Sequence, residues 1–104
     1  MNLTEIKKEI KINANLQKAA VLQRFFKTGP GDYGEGDIFL GIMVPVQTSI
    51  AKKYKGLSLK EIKELLYSEV HEERLIALLI LVEQYKKGDE QKKEDVFTFY
   101  HLHK

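Results

Sequence analysis

Cysteine is absent from this chain, proline occurs twice, and arginine occurs only at Arg24 and Arg74. The missing cysteine excludes a disulfide framework and thiolate metal sites, and fits an intracellular protein. With fifteen lysines against two arginines, positive charge comes as mobile point charges suited to phosphate. The planar forks that read base edges are scarce. No long apolar run is present. The longest, LIALLILV at 75–82, is far too short to span a bilayer, and the start, MNLTEIKKEIKI, lacks a signal-peptide core. A formal net charge of +2 is too small for a protein that coats polyanions. These absences predict a soluble, cytoplasmic domain. At 104 residues the length suits one domain covering 1–104.

What is present is helical periodicity. Leu3, Ile6 and Ile10 recur at helical spacing behind Asn2, a cap residue with Glu5 three positions on. Asn15 opens a second helix through Leu16, Ala19, Leu22 and Phe26, which TGPG ends: Gly29 suits a left-handed cap and Pro30 cannot continue the ladder. A third helix carries Pro45 in its first turn, runs to about residue 55 and is stopped by Gly56. Ser58 and Glu61 form a capping box for a fourth. A fifth begins near His71, with Glu72 and Glu73 against its dipole, and ends at Lys86, Lys87 and Gly88. Being apolar nearly all round, it is expected to be the most buried. A sixth starts near Asp89 or Glu90 and bears Val96, Phe97, Phe99 and Tyr100. Short connections between about six helices predict an all-α fold of antiparallel pairs, a bundle or a short HEAT-like α-solenoid.

Five of the seven glycines and both prolines fall within 28–55. GPGDYGEGD has no Lys-Ser/Thr pair and no preceding hydrophobic strand, so it is no P-loop. Asp32 and Asp37 lack the remaining ligands of an EF-hand. Asp37 is expected to tie down backbone N–H groups of its own loop, and nothing fixes its separation from Glu35. HEERL has Leu75 where a zinc motif needs a second histidine, and His101 and His103 point to different faces of a helix. No activated nucleophile is discernible. No cofactor, metal or catalytic set is therefore expected.

Charge on the third helix is more informative. Pro45, Thr48, Ser49 and Lys52 share one face, with Lys53 and Lys55 flanking, while Val46, Ile50 and Ala51 face the core. The helix N-terminus at Val44 and Pro45 attracts anions. Small hydroxyls followed by lysines make a phosphate-contacting ridge. An ordinary solvated face has the same composition. Lys86, Lys87, Lys92 and Lys93 are expected to complement helix dipoles and aid solubility.

FFKTGPG-x-YGEGD-x-FLG, the VP and AKKY that follow, and HEERLIALLILVEQYKKGD resemble, in order and over nearly the whole chain, the N-terminal half of the DNA alkylation repair (AlkD-like) family. The resemblance implies a HEAT-like solenoid whose concave basic surface holds duplex DNA, in a family of alkylpurine glycosylases that work without base flipping. It implies that Phe39, Leu40, Gly41, Val44 and Pro45 aim a helix at DNA, with Met43, Pro45, Thr48, Lys52 and Lys53 as nucleic-acid-binding residues. Family members often carry arginine where this chain has Met43 and Thr48, which implies a weaker grip. The family's catalytic aspartate and its tryptophans lie beyond the point matching Lys104, so glycosylase activity by this chain alone is not expected. A protein-interaction module is the alternative, self-associating or binding a partner through Phe97, Phe99 and Tyr100.

Overall fold

The structure is a computed structural model, and it describes residues 1–25 and 36–103. Its helices are α1 (Leu3–Ile12), α2 (Leu16–Phe25), α3 (Val44–Lys53), α4 (Leu59–Leu66), α5 (His71–Lys87) and α6 (Glu90–His103). The fold is all-α. Among the described residues the only β pairing is an isolated parallel bridge between Ile38 and Val70. The expected TGPG stop of α2, with Gly29 and Pro30, and the residues Asp32 and Glu35 lie outside the described residues.

Local chemistry places the helix starts. The Asn2 side chain accepts the Glu5 N–H at 2.9 Å, Asn15 Oδ1 accepts from Lys18 at 3.0 Å, Ser58 Oγ from Glu61 at 3.2 Å, and Asp89 Oδ1 from Lys92 at 2.8 Å. Each satisfies an orphan donor of a first turn and contributes about 1 kcal/mol. Helix α3 has no side-chain cap. Pro45 lacks an N–H to satisfy and presets φ for the first turn.

Helix α5 is the centre of the molecule and packs against α3, α4 and α6. Ile76, Ala77 and Ile80 are fully buried, in one cluster with Ile50 and Ala51 of α3 and Ile62 and Leu65 of α4. Ile6 and Ile10 of α1 and Val96 and Phe99 of α6 close that cluster. Burying each such aliphatic side chain stabilises the fold by about 1.5–3 kcal/mol.

Helix α5 holds the most buried residues of the described helices, as expected, although Leu78, Val82 and Tyr85 stay exposed. Two expectations are corrected. Val46 is exposed and Gln47 takes the buried position beside Ile50 and Ala51. This is possible because Gln47 Nε2 donates to the Ile42 carbonyl at 2.8 Å. Phe99 is a core residue, only 9% exposed, so of the three side chains expected at the apolar edge of α6 only Phe97 and Tyr100 are exposed. Asp37 Oδ1 lies 3.1 Å from Arg74 Nη2 of α5, while most of the loop it is expected to tie down lies outside the described residues. Gly88 does follow α5 as expected, but in extended geometry (φ −84°, ψ 159°). It is needed for space, because a Cβ would lie 2.8 Å from both the Gln84 carbonyl and the Lys92 stem. Among the described residues no helix is long and apolar enough to cross a membrane.

Candidate nucleic-acid interface

The segment before α3 is irregular, so its backbone donors need partners from elsewhere. Five consecutive N–H groups find them on three other elements. Ile38 donates to the Glu69 carbonyl at 3.1 Å and Phe39 to Gln23 Oε1 at 3.0 Å. Leu40 donates to Glu72 Oε1 at 3.0 Å, and Gly41 and Ile42 donate to Glu72 Oε2 at 2.8 and 3.2 Å. One buried carboxylate, only 1% exposed, thus receives three charge-assisted bonds, the arrangement that lets a buried charge persist. Sequence reasoning read Glu72 only as a first-turn carboxylate. Its reach into the FLG segment carried no signal of its own.

The same segment is also held through its carbonyls and side chains. The Asn15 N–H donates to the Leu40 carbonyl at 2.6 Å, and the His71 N–H to the Ile38 carbonyl at 2.8 Å. The Phe39 ring lies 4.7 Å from that of His71. Arg74 bridges Asp37 and the Ser68 carbonyl, the latter at 2.9 Å. Gly41 has φ +77°, and a Cβ there would lie 2.3 Å from the Asn15 carbonyl oxygen and 2.7 Å from the Ala19 nitrogen. No side chain fits at this crossing of backbones.

At the far end of α3 the linker to α4 is held in a similar way. Gln84 Nε2 donates to the carbonyls of Lys55 and Leu57, at 2.9 and 2.8 Å. Glu72 and Gln84 both belong to α5, 12 residues or about 18 Å apart. The α3 cylinder they bracket is about 15 Å long. One helix therefore grips the chain just before and just after α3.

The result is a fixed exposed ridge. Pro45, Ser49 and Lys52 are exposed and opposite the buried Gln47, Ile50 and Ala51, with Thr48 half-buried on the flank. Met43 is the N-cap residue, 55% exposed, in extended geometry. Among the described residues Lys52 has no ion pair. Lys53 differs, because its ammonium bonds to Glu9 of α1 and lies 5.8 Å from the Tyr54 ring centroid. The Glu9 bond and charge raise the Lys53 pKa above its ordinary 10.5. Lys53 holds α1 to α3 and has less charge to offer a ligand than Lys52. Among the described residues no group of three or more His, Asp or Glu side chains is placed to hold a metal ion.

An all-α scaffold whose central helix sets the pose of one lysine-bearing helix defines the class. The chain belongs to the DNA alkylation repair enzyme family, whose model matches residues 6–103. That membership supports a DNA-repair-like function. No curated protein and no solved structure matches the chain.

Proposed function

We propose that the chain is a HEAT-like module that contacts the phosphates of duplex DNA through the exposed ridge of α3, with weak and salt-sensitive affinity. The observation that carries this reading is the grip of Glu72 and Gln84 on the two ends of α3, which holds Lys52, Ser49 and the Pro45 end in one pose. Met43 and Pro45 stand at the helix N-terminus, where N–H groups and the dipole favour an anion. Thr48 adds a hydroxyl to the same run, and Lys53 contributes at its margin while paired with Glu9. Contacts of this type fix position on the backbone and read no sequence.

Base release by this chain alone is not part of the proposal. Each described aspartate has a structural partner: Asp37 pairs with Arg74, Asp89 caps α6, and Asp95 accepts from Gln91 at 2.9 Å. The test is fluorescence anisotropy with plain and alkylated duplexes at low salt, beside mass spectrometry for released base. Saturable binding weakened by Lys52→Glu is expected, without excision. Absence of binding, or indifference to Lys52→Glu, removes the reading.

A further inference from the structure

An open apolar groove of about 400 Å³ runs between α5 and α6, away from α3. Leu81 and Val96, both core residues, form its base. Its walls are Leu78, Val82 and Tyr85 on one helix and Phe97 and Tyr100 on the other, between 37% and 59% exposed. The lining includes one cation, Lys86, and no carboxylate. A second cation stands over the same end, since Lys93 Nζ lies 5.6 Å from the Tyr85 ring centroid. Gly88 and Asp89 join α5 to α6 directly, so the C-terminal end of α5 and the start of α6 share that pole. The groove is thus apolar along its length and positive at one end.

Two features select the occupant. The exposed parts of three aromatic and two aliphatic side chains come to roughly 400–500 Å², well below the ~800 Å² per partner of a standard dimer interface. A second copy would also bring another groove with the same cations. The α5 wall, Leu78 to Tyr85, spans two helical turns, about 10 Å, and the α6 wall, Phe97 to Tyr100, spans about 4.5 Å. The longer wall matches an apolar stripe at i, i+4 and i+7 on a single helix. We infer that this groove receives an amphipathic helix of a partner protein, two to three turns long, with carboxylates at the end that meets Lys86 and Lys93.

A fluorescein-labelled peptide of about 16 residues, long enough to sustain a helix, serves as the probe. It carries leucines at i, i+4 and i+7 and two glutamates at one end. The control peptide has lysines in place of the glutamates. Anisotropy is expected to show saturable binding of the glutamate peptide, weakened about tenfold or more by Phe97→Ala or Tyr100→Ala. Lys86→Glu with Lys93→Glu is expected to reverse the preference between the two peptides. These side chains are exposed, so far-UV circular dichroism of the variants is expected to match the parent. Lys52→Glu, which tests the DNA reading, is expected to leave peptide binding unchanged. Failure of both peptides to bind, equal binding of the two, or a sedimentation-equilibrium dimer dissolved by Phe97→Ala overturns the inference.

Discussion

Two residues decide whether the segment before α3 can exist in its observed form. Gly41 is held at positive φ with no room for a Cβ against the Asn15 carbonyl. Gly41→Ala is expected to cost about 3 kcal/mol or more, through both the dihedral and the clash. Glu72→Gln keeps the shape but replaces one acceptor with an NH2 that faces donors, and about 2–3 kcal/mol is expected to be lost. Urea titration of both variants checks these figures. Glu61 offers a different test. Its carboxylate accepts from Ser58 Oγ at 2.8 Å and from the Leu3 N–H at 2.7 Å. The Ser58 bond first, and the Leu3 bond second, hold its pKa below the ordinary 4.5. The anion is favoured in the fold, so its contribution is complete above 4.5 and is lost as pH falls below it. The gap in urea midpoint between the parent and Glu61→Gln is therefore expected to be widest at neutral pH and to narrow in acid.

At the scale of elements, α5 works as a bracket for α3. Gln84→Ala leaves the Lys55 and Leu57 carbonyls unpaired, and about 2 kcal/mol is expected to be lost. The Glu72 and Gln84 sites stand too far apart to share partners, so the losses in the double variant are expected to add within about 0.5 kcal/mol. A larger departure in denaturation experiments would show that the two grips are coupled through α3. Elements are also where reading from sequence succeeded and failed. Asn2, Asn15, Ser58 and Asp89 announce helix starts because a cap involves residues three apart. Pro45 and Gly56 bound α3 by the same local logic. Which side of a helix is buried depends on what docks there. Gln47 displaced Val46 because the Ile42 carbonyl arrives beside it, and Phe99 joined the core while Phe97 did not. The contacts of Glu72 with the FLG segment and of Arg74 with Asp37 reach back 30 to 37 residues, beyond any pattern of periodicity or capping. The ridge of α3 was legible as a face. The device that holds it was not.

As a whole the molecule measures 42 × 27 × 21 Å with a radius of gyration of 14.3 Å, longer than the ~13 Å typical of a compact chain this size. Helix α1 is fastened to this body partly by two ion pairs, Lys7 with Glu73 and Lys53 with Glu9. Such fastening leaves Lys7 and Lys53 with less charge to offer the proposed DNA contact than an unpaired lysine has. With few phosphates neutralised, log K for duplex binding is expected to fall with log salt at a slope of about −2 to −3, and Lys52→Glu to reduce that slope by about 1. Anisotropy across a salt series measures both. A slope near zero would mean that charge on α3 does not carry the binding.

The Glu72 bonds also bear on how the chain reaches this shape. Helices α4, α5 and α6 are neighbours in sequence and can associate over short loops, whereas Glu72 takes its donors from a stretch 30 to 32 residues earlier. Closing so long a loop is entropically expensive until something rewards it. The three-helix C-terminal part is then the expected nucleus, with the Ile38–Ile42 stretch settling after the barrier. In stopped-flow experiments Glu72→Gln is expected to speed unfolding and leave the refolding rate nearly unchanged. A slowed refolding limb would place that loop inside the nucleus.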